Sequence, residues 1–107
     1  MVDRGPRHLA FHPTLDIAYV VCEISSEIIA LSYDSEKGTL TYIEGFEFNM
    51  LPKEYEGSPK VQAGADVMIS ADGKFLYATN RADPYGDGEN SVVVFAINLL
   101  NGSLNAI

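Results

Sequence analysis

Apolar and polar residues alternate with a period of two through most of the chain, and almost nowhere with the period of a helix. Leu9 and Phe11, then Ile17, Tyr19 and Val21, put apolar side chains on alternate positions, the spacing of half-buried strands. Between the two runs, His12-Pro13-Thr14-Leu15-Asp16 supplies the Pro and Asp of a hairpin connection. Glu27 to Tyr33 predicts a third strand, Asp34 to Gly38 a turn, and Thr39 to about Glu44 a fourth strand. Four short strands with short turns make an up-and-down meander, and the chain reads as all-β.

Gly45 to Gly64 breaks the pattern with two prolines, three glycines and mixed charge, as a long connection would. Its Phe46, Phe48, Met50, Leu51 and Tyr55 are too apolar for a free linker, so it is expected to pack back on the sheet. The opening stretch then returns. Laying Tyr77 on Tyr19 puts Val67 on Leu9, Ile69 on Phe11, Phe75 on Ile17 and Thr79 on Val21. Ser91 to Ile97 falls on Glu27 to Tyr33, and Asn101-Gly102-Ser103-Leu104 on Lys37-Gly38-Thr39-Leu40. Glu23 and Arg81 occupy the same place in the two copies. This predicts a first unit over 5–45, a connection over 46–63, and a second unit over 64–107 whose last strand is incomplete.

A meander repeated at this interval is the signature of a β-propeller blade, and a sandwich of two duplicated meanders is the alternative. Two blades fall short of the four to eight that typically close a propeller, and unclosed blades leave apolar faces uncovered. The uncharged run Ser91-Val92-Val93-Val94-Phe95-Ala96-Ile97 sharpens that problem. The expectation is therefore a fragment of a larger fold, whose neighbours are blades of a parent chain or further copies that self-associate.

Composition narrows the partners. The 107 residues suit one small domain. No apolar run approaches the roughly 20 residues that cross a bilayer, so no membrane role is expected. Fifteen acidic residues against seven basic ones, a net charge of −8, argue against a nucleic-acid partner, which calls for a basic stripe. Residues MVDRGPRH show no secretory h-region. The single cysteine, Cys22, lies inside an apolar run, which excludes a disulfide framework and fits a buried thiol in a reducing, cytoplasmic setting. The three arginines are Arg4, Arg7 and Arg81. If the fold brings Arg7 and Arg81 together, an acidic protein gains one local anion-binding spot.

The motifs GPRHLAFHP followed by AYVVCE, and ADVMISADGKFLYATNR followed by SVVVFAI, together resemble the lactonase family of seven-bladed propellers. That family includes propeller-type 6-phosphogluconolactonases and carboxy-muconate lactonizing enzymes. The resemblance covers nearly all of this chain, and the chain about a third of a family member. Cys22 departs from the Asn common before the Glu, and Ala71 from the Pro of a P-D-G turn. The resemblance implies hydrolysis of a sugar-acid lactone such as 6-phosphogluconolactone, or lactonizing cycloisomerisation, on an anionic lactone or carboxylate without metal or cofactor. It maps catalytic roles to Arg7, Glu23 and Arg81, and implies a histidine from an earlier blade that this chain does not contain.

Read from position alone, Glu23 and Arg81 at equivalent ends of neighbouring repeats would meet at one mouth of a propeller channel, and Arg7 begins the strand leading there. A carboxylate between guanidinium groups can orient or activate water while the arginines hold an anion and a developing oxyanion. The same pair could equally be an ion pair that fixes blade register, as in a non-catalytic binding or assembly module. His8, aligned with Asp66, is a candidate substrate contact or a structural histidine. His12, before Pro13, reads as a turn-stabilising group.

Asp83, Asp87 and Glu89 in the inserted loop Ala82 to Asn90 do not match a regular calcium loop. They read as a solvated loop that could lie over the mouth. Asn101-Gly102-Ser103 fits a glycosylation pattern but reads as a hairpin turn. No phosphate loop, Cys-His metal spacing or Ser-His-Asp order is present in the sequence.

Overall fold

Alternation of side chains commits each apolar run to a strand with two usable faces, and short turns force successive strands to pair as antiparallel neighbours. The computed structural model, which describes residues 4–51, 62–82 and 90–107, shows eight strands. They are β1 (Pro6–Phe11), β2 (Ile17–Cys22), β3 (Glu27–Asp34), β4 (Thr39–Asn49), β5 (Gln62–Ile69), β6 (Phe75–Ala82), β7 (Ser91–Ile97) and β8 (Leu104–Ala106). They form two four-stranded antiparallel sheets, ordered β1-β2-β3-β4 and β5-β6-β7-β8.

The repeat seen in the sequence is reproduced in the pairing. Leu9 pairs with Val20 and Val67 with Ala78, Tyr19 with Ala30 and Tyr77 with Val94, Tyr33 with Leu40 and Ile97 with Leu104. Each is the position that the alignment of Tyr77 on Tyr19 requires.

The fourth strand departs from expectation. Residues 46–49, expected to open the connection, belong to β4, because the strand bulges and resumes. Ile29 pairs with Glu47 and Leu31 with Tyr42, so the residues from Ile43 to Phe46 stand opposite Ala30 alone. Gly45, at φ +83°, turns the backbone inside this bulge. The driving force is burial: Ile43, Phe46 and Phe48 pack against the core, and Met50 is fully buried. The second sheet begins at Gln62, slightly before Gly64. Tyr55 and the rest of 52–61 lie outside the described residues, as do Asp83, Asp87 and Glu89.

The main core lies between the sheets. Tyr19, Val21, Ile28 and Ala30 of the first face Val67, Leu76, Ala78 and Phe95 of the second. Tyr19 is fully buried and its hydroxyl donates to the Gly102 carbonyl across the junction (2.7 Å). Burial pushes its phenol up to about 12.

A smaller core of Val20, Cys22, Ile29 and Leu31 occupies the first sheet's other face. By register that face also carries Glu27, Glu47 and Tyr42. Arg4 Nη1 bridges Glu27 (3.4 Å) and Glu47 (2.9 Å), and the Tyr42 hydroxyl donates to Glu47. The Arg4 and Tyr42 hydrogen bonds hold the Glu47 carboxyl below the usual carboxylate range. Burial pushes the Cys22 thiol up, as expected for an inert core cysteine.

His12 does more than stabilise its own turn. Its Nδ1 accepts from the Thr14 and Leu15 backbone N–H groups (3.1 and 2.9 Å), which leaves Nε2 to donate to the Gly73 carbonyl in the second sheet (2.9 Å). At the equivalent place in the second sheet, Ser70 closes its turn locally. Its hydroxyl donates to Asp72 (2.6 Å) and accepts from Phe75 N–H (3.1 Å). Asn101-Gly102-Ser103 is a turn, with Gly102 N–H donating to the Asn98 carbonyl (2.7 Å). Among the described residues no helix is long and apolar enough to cross a membrane.

Candidate functional site

The site is assembled by three chain segments whose backbones are tied together at one end of the junction between the sheets. Glu23 follows the last residue of β2; its N–H donates to the Gly5 carbonyl (2.7 Å) and its carbonyl accepts from Gly64 N–H (3.1 Å). The second of these bonds crosses from one sheet to the other and requires close approach. A Cβ on Gly64 would lie 2.4 Å from the Cys22 carbonyl oxygen, so only glycine fits. Arg7 occupies the irregular step in β1 between the Pro6–Cys22 and His8–Val21 pairs. A bulge of this kind re-aims a side chain. Arg81 lies near the end of β6, opposite Ala63 of β5.

These positions bring the three charged side chains into one cluster. Arg81 Nη2 lies 2.8 Å from Glu23 Oε1, and Arg7 Nη1 lies 3.5 Å from Glu23 Oε2. Arg7 Nε also donates to the Ala65 carbonyl (3.1 Å). The Glu23 carboxylate is thus flanked on separate oxygens by guanidinium groups from the two sheets. All three side chains remain between 35% and 47% exposed, so the pairs contribute only about 0–1 kcal/mol each to stability. A solvent-facing carboxylate between two cations can bind an anionic group at the arginines and present an oxygen to a water or substrate proton.

Of the residues singled out in the sequence, Arg7, Glu23 and Arg81 are brought together and His8 is not joined to them. His8 is exposed and pairs with Val21 in the β1–β2 ladder. Among the described residues no hydrogen bond or ion pair links it to Glu23 or to either arginine. Gly64 and Ala65 position the cluster, and sequence reasoning does not single them out. Their signal, a glycine and a small residue at the start of the second unit, says nothing of contacts made through backbone carbonyls. No cluster of three potential metal ligands occurs among the described residues.

The family profile described as "Lactonase, 7-bladed beta-propeller" matches residues 2–107. A 6-phosphogluconolactonase of Bacillus subtilis is 35% identical over 100 residues, covering 94% of this chain and 26% of that protein. An uncharacterised protein of Lactococcus lactis is 40% identical over 103 residues, covering 96% and 27%. The solved structure of the periplasmic gluconolactonase of Pseudomonas aeruginosa superposes with a TM-score of 0.79 at 27% identity, covering 98% of this chain and 26% of that one. The chain therefore spans about a quarter of the length of these relatives, and its two sheets are two blades of the propeller. With the profile matching along nearly its whole length, the chain belongs to the lactonase family of seven-bladed β-propellers.

Proposed function

We propose that this chain contributes the Arg7–Glu23–Arg81 cluster to the mouth of a propeller that hydrolyses a sugar-acid lactone, with 6-phosphogluconolactone as the substrate to try first. The observation that carries this reading is the Glu23 carboxylate held between guanidinium groups from two adjacent blades, within 2.8 and 3.5 Å. In the reaction a water oxygen attacks the lactone carbonyl, the ring C–O bond breaks, and the ring oxygen takes a proton to leave a hydroxy acid. Glu23 would orient the water and accept its proton. Arg7 and Arg81 would hold the anionic part of the substrate and neutralise the carbonyl oxygen as charge develops there.

The lactonase names carried by the Bacillus subtilis and Pseudomonas aeruginosa proteins favour hydrolysis over lactonizing cycloisomerisation. Cytoplasmic residence is part of the proposal, supported by the buried, unpaired Cys22, although one neighbour is named as periplasmic. The test is turnover of 6-phosphogluconolactone by the full chain, followed by acid release. Arg81→Ala and Glu23→Gln should each reduce the rate at least about a hundredfold. A folded chain without turnover, or one whose rate ignores both substitutions, overturns the assignment.

A further inference from the structure

Glu23 stands just past the end of β2, in a turn over residues 23–26, where no ladder fixes it. Its counterpart Arg81 lies inside β6, opposite Ala63, with Gln62 opposite Ala82 beyond it. The residues of the first blade that align with Gln62 and Ala63 are Arg4 and Gly5, and the β1–β2 ladder stops short of them at the Pro6–Cys22 pair. They nevertheless hold the turn. The Gly5 carbonyl accepts from Glu23 N–H (2.7 Å), and the Arg4 carbonyl accepts from Ile24 N–H (3.0 Å) and Ser25 N–H (3.2 Å). Three consecutive N–H groups around Glu23 therefore depend on the placement of two carbonyls that lie outside the strand.

A side chain supplies that placement. Arg4 Nη1 lies 2.9 Å from Glu47 Oε2 and 3.4 Å from Glu27 Oε2. Glu27 begins β3 and Glu47 stands opposite Ile29 on β4, so one guanidinium grips two neighbouring strands. The Tyr42 hydroxyl, from the other side of the β4 bulge, donates to the same Glu47. The Arg4, Glu27 and Glu47 side chains are 25% to 31% exposed, less than those of the Glu23 cluster, so solvent screens their attraction less. The same end of β4 reaches the far side of the turn, where Met50 N–H donates to the Ser26 carbonyl (3.0 Å).

We propose that Arg4, clamped between Glu27 and Glu47, is a positioning residue for Glu23: it fixes the carbonyls that hold residues 23–25 and thereby keeps the Glu23 carboxylate between Arg7 and Arg81. Among the described residues no hydrogen bond or ion pair links the Arg4 guanidinium to Glu23, so it acts through the backbone. Arg7 follows three residues later on the same anchored segment, so both members of the Glu23–Arg7 pair are aligned by one clamp. The inference rests on the lactone reading only for what Glu23 does once it is held there.

Amide hydrogen exchange, read at single residues by NMR on the full chain, tests the clamp without reference to activity. Arg4→Met keeps the aliphatic stem and removes the charge. Exchange at Glu23, Ile24 and Ser25 should accelerate about tenfold, while Asn98 and Gly102, whose N–H groups are bonded within the second blade (2.8 and 2.7 Å), keep their rates. Unchanged rates at residues 23–25, or equal acceleration at Asn98 and Gly102, overturn the proposal. Should Arg4→Met fail to fold, Glu47→Gln, which preserves the shape, should accelerate the same three amides about twofold to fivefold; no change there is the contrary result. Both bridges end on one nitrogen, so Arg4→Lys should return the rates to within about threefold of the parent, and rates as fast as those of Arg4→Met count against the clamp. Turnover is a separate arm. In a chain that hydrolyses 6-phosphogluconolactone, Arg4→Met should lower kcat about threefold to tenfold with KM little changed, and an unchanged kcat overturns the positioning role. A parent chain without turnover overturns the lactone reading instead, and the exchange rates then decide the clamp by themselves.

Discussion

Tyr19 and Tyr77 occupy the same place in two copies of one structural unit, and they live in different worlds. The first is fully buried and hydrogen-bonded across the blade junction; the second is 38% exposed on an outer face. Both pair with the third strand of their blade in the same register. The difference teaches that local pattern sets the strand and its partners, whereas burial comes from the neighbouring blade. Apolar area counts toward stability only where a second sheet removes it from water.

The largest effect should separate the two faces directly. Ile28→Ala is expected to cost about 2–5 kcal/mol in urea unfolding. Its counterpart Val92→Ala, at a residue 65% exposed, should stay within about 0.5 kcal/mol. Equal losses at the two positions would break the comparison.

The turn glycines come next. Gly102→Ala and Gly38→Ala both force alanine into a left-handed conformation, at φ +80° and +66°, costing about 1 kcal/mol each. At Gly102 the new methyl also meets the end of the Ile17 side chain and, at 3.2 Å, the Tyr19 hydroxyl, adding up to about 1 kcal/mol of overpacking. A thermal melt in which the two variants lose equally would show that the second copy's turn does not press on the first blade.

Tyr19→Phe should cost about 1 kcal/mol, whereas Tyr77→Phe should cost the single chain nothing measurable. Tyr19 also predicts alkaline behaviour. Its phenol is raised from 10.0 to about 12 by burial. The unfolded chain therefore loses this proton first, and stability that is intact below pH 10 falls as pH rises towards 12. The loss from this group is on the order of 2 kcal/mol. The difference in stability between wild type and Tyr19→Phe, about 1 kcal/mol in favour of wild type at pH 9, should shrink and change sign as pH rises to 12.

The smallest structural effect belongs to the Glu23 cluster. Because the Glu23 pairs are more than a third exposed, Glu23→Gln should change unfolding stability by less than about 1 kcal/mol. A much larger loss would make the cluster a blade clamp rather than a reactive site.

What the two blades share is legible in the amino-acid sequence; the contrast in burial between them is not. The alignment of Tyr77 on Tyr19 predicts the ladders, because antiparallel register follows from turn length and the period-two pattern. It also predicts that Glu23 and Arg81 meet, since equivalent strand ends of adjacent blades lie at one mouth. The bulge of β4 is not legible. Gly45 and the apolar Phe46 and Phe48 read as the start of a connection, and only the presence of a core beneath them makes the strand resume. The Arg4 cluster is hidden for the same reason, because Glu47 reaches Arg4 only after that bulge returns it to the sheet. The bridge from His12 to Gly73 is likewise invisible in the sequence, being a contact between turns far apart along the chain.

Alternation, turn residues and the internal repeat by themselves determined eight strands, two meanders and their common register, because each depends on neighbours within a few residues or on one hairpin. Tertiary structure alone decided which face of each meander is dry, how Arg7 and Arg81 converge on Glu23, and why Gly64 must lack a side chain. Those are properties of two surfaces in contact, and the periodicity that builds each surface is silent about what it will meet.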